Sequence, residues 1–114
     1  MLTIEALNEL GANTKEGMER CLNNEEFYLR LVKMAVMDDG FEKLKDAVEA
    51  KDLDEAFERA HALKGVIGNV SLTNIFIPIQ EITEELRARL DINYTEILGR
   101  IFTELEKVRS LVDD

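Results

Sequence analysis

Asp52-Leu53-Asp54-Glu55-Ala56-Phe57-Glu58-Arg59-Ala60-His61-Ala62-Leu63-Lys64-Gly65-Val66-Ile67-Gly68-Asn69-Val70 is the stretch from which the rest of the chain can be read. Leu53, Ala56, Phe57, Ala60, Leu63, Ile67 and Val70 recur every three or four positions, the spacing of one helical stripe and not of a strand. Asp52, with Glu55 at the third following position, is an aspartate variant of the capping box and marks the helix start. A helix over 53–70 with one apolar stripe must bury that stripe against other elements, so the flanks should supply them.

They do, and with the same period. Toward the N-terminus, Phe41, Leu44, Ala47 and Val48 form a stripe ending near Ala50. Before it, Asp38-Asp39-Gly40 reads as a turn. Asn24 caps a further segment in which Phe27, Leu31, Met34 and Ala35 recur. Two short helices, Ile4 to Leu10 (stopped by Gly11) and Thr14 to Cys21, come first. Toward the C-terminus, Ser71 or Thr73 can cap a helix carrying Ile75, Ile79, Ile82, Leu86 and Leu90, with Pro78 expected to bend or break its first turns. Asn93 and Glu96 read as another capping box, followed by Tyr94, Ile97, Ile101, Leu105, Val108 and Leu111. Short loops make sequential helices neighbours. The expected fold is all-α: an up-and-down four-helix bundle of 24–50 (broken near Gly40), 53–70, 72–90 and 94–112, capped by short N-terminal helices within 1–23. Residues 1–114 form one domain.

Composition removes most function classes. The chain has 114 residues, 46% of them apolar, and a net charge of −10. That length supports one hydrophobic core, and that apolar content excludes an acidic disordered chain. No apolar run is long enough for a bilayer span, and the start lacks the basic region of a signal peptide. The acidic balance argues against nucleic acid, whose phosphates call for lysine and arginine. A lone Cys21 forms no internal disulfide, which points to the cytoplasm, and it is expected as a small apolar residue near a helix end. Met18, Met34 and Met37 are expected to fill gaps in the core, and Glu81, Glu84 and Glu85 to form a solvated face.

What chemistry remains runs through His61, the only histidine. Glu58, His61, Lys64, Gly65 and Gly68 share a band beside the apolar stripe, so His61 sits at its exposed edge. Two glycines inside a helix each cost about 1 kcal/mol relative to alanine, and neither ends this one. Side-chain-free positions let another backbone or a bulky group come close, either a partner at an exposed ledge or a neighbouring helix of the bundle. Imidazole is substantially neutral near pH 7, so one ring nitrogen is a usable nucleophile. A phosphoryl group accepted there brings up to about two negative charges, which an ammonium one turn away, Lys64, offsets. Glu58, one turn earlier, can accept the other ring N–H and orient the ring.

Ala60-His61-Ala62-Leu63-Lys64-Gly65, followed by Gly68, resembles the His-x-Leu-Lys-Gly signature of histidine-containing phosphotransfer (HPt) domains. The resemblance covers most of the chain, with length, acidity and helical pattern in agreement. The chain departs from the family at Val66 and Ile67, where small residues are common, and at Ser71, where a glycine is common. Some members orient the imidazole with a glutamine on the next helix; the equivalent position here is near Thr83, with Gln80 one turn earlier. The resemblance implies a phosphorelay carrier that takes a phosphoryl group from the aspartyl phosphate of a response-regulator receiver and passes it to another. It implies His61 as acceptor, Lys64 as charge stabiliser and Gly65 as clearance for docking, with Glu58 and Gly68 at the partner surface. It also implies a monomer with no ATP site and no cofactor of its own, Mg²⁺ coming with the receiver, in a pathway headed by a histidine kinase. The rival reading is a bundle of the same shape that binds receivers or helical partners without carrying phosphate. A carboxylate-bridged metal enzyme is remote, because such bundles draw Glu-x-x-His pairs from several helices.

Overall fold

The computed structural model describes residues 1–112, and every described element is helical. There are seven helices: α1 (Ile4–Glu9), α2 (Thr14–Arg20), α3 (Glu25–Val36), α4 (Gly40–Glu49), α5 (Leu53–Asn69), α6 (Thr73–Arg87) and α7 (Thr95–Val112). Helices α4 to α7 pack as sequential neighbours, while α3 lies against α7 and α5. The all-α expectation is met among the described residues, and the segment expected as one helix over 24–50, broken near Gly40, is the two helices α3 and α4. The break occurs at Met37–Asp39, where Asp38 Oδ1 accepts the Gly40 N–H at 2.7 Å and removes a donor from the ladder. Arg109 of α7 bridges the two pieces, donating to the Val36 carbonyl (2.7 Å) and pairing with Glu42 (2.8 Å).

The hairpin that carries the signature is antiparallel. Gly68 lies near Phe76, Arg87 over the Phe57 ring, and Arg89 against Asp54, so α6 runs back along α5. The α6–α7 pair repeats this through Asn74–Glu104 and Glu81–Arg100 contacts. Leu63, Ile67, Ile75, Ile79, Ile82, Leu86, Ile101 and Leu105 are almost completely removed from water between these helices. Each such side chain contributes about 1.5–3 kcal/mol. The N-terminal cap closes one end, where the Asn13 N–H donates to the Ser71 carbonyl at 2.9 Å, and beside it the buried Tyr28 of α3 donates its hydroxyl to the Val70 carbonyl at 2.8 Å.

Several local expectations change. The inward face of α3 is Tyr28, Val32, Ala35 and Val36; Phe27, Met34 and Met37 are exposed, so Met34 and Met37 are not core residues. A one-residue rotation of the stripe separates the two assignments, and Tyr28 is the larger apolar body with a polar tip that finds a partner. Met18 does pack against the core, and Cys21 is buried at the end of α2. Pro78 does not break α6; it is buried inside the helix, which continues through it despite the missing N–H. Neither Ser71 nor Thr73 caps α6, whose N-cap is Leu72 without a side-chain bond. Asn24 caps α3 as expected. Asn93 accepts from the Thr95 N–H at 2.9 Å, one residue short of the capping-box register. Leu90 is exposed beyond the end of α6. Glu81 and Glu84 are exposed but paired with arginines, and burial raises the pKa of the partly covered Glu85.

Candidate functional site

Helix α5 sets every candidate residue. Asp52 accepts the Glu55 N–H at 3.1 Å and starts the helix. The reciprocal half of the capping box is missing, because Glu55 Oε1 accepts instead from Arg59 Nε at 2.6 Å. Beyond its Val70 C-cap stands Ser71, a non-glycine residue with φ +57°, where a glycine would be unstrained. Two contacts hold Ser71 there: its carbonyl accepts from the Asn13 N–H (2.9 Å), and its hydroxyl donates to Glu16 (2.9 Å).

Between these ends, Ala56, Ala60, Leu63 and Ile67 face the core and leave the next band outward. His61 and Gly65 are exposed, and Lys64 and Gly68 half-buried. The two readings of Gly65 now separate. A Cβ built at Gly65 meets nothing within 4 Å, so no neighbouring helix demands the glycine. At Gly68 the nearest atom is Phe76 Cε2 at 3.9 Å, an ordinary contact. The glycines form an open ledge, one turn and two turns beyond the histidine.

His61, Lys64, Gly65 and Gly68 line one surface depression of about 490 Å³ together with Glu16, Arg20, Asn69, Ser71, Thr73 and Phe76. Lys64 makes no ion pair among the described residues, where the lysines that do are Lys43 and Lys107. Its ammonium is therefore not committed to a carboxylate. Arg20, the second cation, is held by Glu16 (2.9 Å) and donates to the Gly68 carbonyl at 2.7 Å, tying α2 to the ledge. Glu58 is exposed on α5 but is not part of this depression.

None of the three side chains considered for orienting the imidazole hydrogen-bonds to it among the described residues. Thr83 is buried, and its hydroxyl donates to the Ile79 carbonyl at 2.6 Å. Gln80 and Glu58 are exposed without a bond to the ring. The neighbour the sequence reading missed is Phe57. Its ring stacks on the imidazole with centroids 5.7 Å apart and planes 23° off parallel. The guanidinium carbons of Arg87 and Arg89 each lie 5.0 Å from the same Phe57 centroid. The available signal was an aromatic four residues before the histidine, one helical turn away, hidden because Phe57 also belongs to the apolar stripe. Arg20, Glu16 and Phe76 were missed as well, since no local pattern brings the cap to α5.

Among the described residues, no group of three or more His, Cys, Asp or Glu is placed to hold a metal ion. No helix among the described residues is long and apolar enough to cross a membrane. The family model of the Hpt domain matches residues 31–110, which spans the end of α3 through most of α7 and includes the whole α5 site. No curated protein and no solved structure matches the chain.

Proposed function

The chain belongs to the Hpt domain family, and on that footing we propose that it is a monomeric, cytoplasmic phosphorelay carrier with His61 as its phosphoryl acceptor. Members of the family are phosphocarriers and not kinases, and they meet receivers and histidine kinases. The observation that carries the reading for this chain is the juxtaposition on α5. The sole histidine is exposed beside an uncommitted lysine and a glycine whose side-chain direction is empty.

In the proposed reaction a receiver's aspartyl phosphate is brought over the ledge. The lone pair of a neutral ring nitrogen of His61 forms an N–P bond as the P–O bond to the aspartyl carboxylate breaks, and the carboxylate keeps the bonding pair. The ring thereby becomes an N-phosphorylated imidazolium, and loss of the proton on its other nitrogen to water restores a neutral ring. The transferring oxygens carry charge throughout, and Lys64 is placed to offset it. Gly65 and Gly68 leave room for the incoming loop, and Gly68 and Glu58 belong to the docking margin. The chain contributes no cofactor; Mg²⁺ and the acidic pocket come with the receiver. Return of the phosphoryl group to a second receiver reverses the same steps.

The test is incubation with phosphorylated receivers. The protein should acquire acid-labile, alkali-stable label, and His61→Gln should abolish it with the helical circular dichroism intact. Persistent labelling of that variant overturns the assignment. Binding of receivers without any label on the wild type would leave the docking bundle that carries no phosphate.

A further inference from the structure

We infer that Phe57 is the positioning residue for the His61 imidazole. The inference rests on the carrier reading above and names what holds the acceptor ring. An imidazole on an exposed helix face has two free torsions, and transfer needs its nitrogen lone pair aligned with a phosphorus atom. Hydrogen-bonded orientation is absent here: Thr83 is spent on the Ile79 carbonyl, and Glu58 and Gln80 make no bond to the ring. Stacking is the interaction present. The Phe57 and His61 rings lie at a 5.7 Å centroid separation and a 23° interplanar angle, within the range of an offset stack.

A stack positions a ring only if the partner ring is itself held. Phe57 is half-buried on α5, packed against the core, and two guanidiniums lie over it. Both cations are anchored. Arg87 pairs with Glu84 at 2.9 Å, and Arg89 pairs with Asp54 at 2.8 Å and donates to the Leu86 carbonyl at 2.6 Å. The order of support runs from the end of α6, through the arginines, to Phe57 and then to His61. Offset stacking leaves the ring edge, and so both nitrogens, available to solvent and to a partner, whereas a hydrogen bond occupies one of the two.

Three proteins test this: wild type, Phe57→Leu and Phe57→Tyr. Leucine keeps an apolar side chain and helix propensity but has no ring; tyrosine restores the ring. In wild type the imidazole carbon-bound protons should resonate upfield of those of an exposed histidine because of the Phe57 ring current. The shift should vanish in Phe57→Leu and return in Phe57→Tyr. The rate of transfer from a phosphorylated receiver should fall about tenfold in the leucine variant and recover to within about threefold of wild type in the tyrosine variant. Imidazole protons at exposed-histidine positions in wild type overturn the inference whether or not either variant folds. A folded leucine variant with wild-type transfer rate overturns it too, and leaves the carrier reading standing. Absence of label on wild-type His61 is the separate failure of the carrier reading, and the proton shifts still report the stack.

Discussion

Gly65 offers the perturbation whose two consequences run in opposite directions. Its backbone is that of a helix interior, and a Cβ there meets nothing within 4 Å. Gly65→Ala therefore introduces no clash, reduces the freedom of the unfolded chain and should stabilise the fold by about 0.4–1 kcal/mol. For a domain of this size that corresponds to a rise in Tm of about 2–6 °C. Gly65→Gln should fold equally well, since its side chain projects into water, yet it fills the space beside His61. A receiver that must approach the histidine over this ledge meets that side chain, and transfer should slow by about tenfold or more. The assay is a thermal melt of wild type, Gly65→Ala and Gly65→Gln, alongside receiver-to-protein transfer at one protein concentration. Melting temperature and transfer rate should part company. A lowered Tm in both variants with undiminished transfer per folded molecule would show that Gly65 serves internal packing, and the ledge would be refuted.

Three further outcomes follow from other parts of the molecule. Lys64→Ala should leave the melt within about 0.5 kcal/mol of wild type, because the lysine has no ion pair to lose, and should slow transfer about tenfold; unchanged kinetics in both directions would make the lysine incidental. Gly17→Ala should destabilise the fold by about 1–3 kcal/mol in a urea titration, because its Cβ would clash with the Tyr28 ring, which is buried and held at Val70; a neutral result would mean that α2 detaches at little cost. Burial pushes the Tyr28 hydroxyl from its ordinary 10.0 up to about 12. A raised folded-state pKa gives stability that is fully present below pH 10 and lost as pH rises through 12. Urea titrations over that window should show a steeper decline for wild type than for Tyr28→Phe, and parallel declines would contradict the assignment.

The features legible in the sequence are those set by one helix at a time. The α5 stripe, its Asp52 start, the His61–Lys64–Gly65–Gly68 band and the cap at Asn24 all depend on residues three or four apart, and each stands where the spacing placed it. What was not legible depends on which helix lies opposite. Phe27 and Tyr28 are adjacent and both large, and it is Tyr28 that turns inward with Val32 and Val36, its hydroxyl meeting the Val70 carbonyl at the end of α5. That choice rotates α3 and leaves Met34 and Met37 in water. Pro78 is a helix breaker by local rules, yet it is buried inside an α6 that continues through it.

The same division runs through the site, where Glu58, Gln80 and Thr83 were left open as orienting partners and none bonds to the imidazole among the described residues. A search for a hydrogen-bond donor or acceptor looks for polar residues, so it fell on Glu58, Gln80 and Thr83. Thr83 occupies a position that α6 turns toward the core, where an isolated hydroxyl must satisfy itself, and the Ile79 carbonyl of its own helix is the nearest acceptor. With Thr83 bonded within its own helix, the ring is steadied from α5 itself, by the Phe57 stack. The arginines at the end of α6 then serve α5 through that aromatic, which couples the signature helix to its neighbour without a direct bond to the histidine.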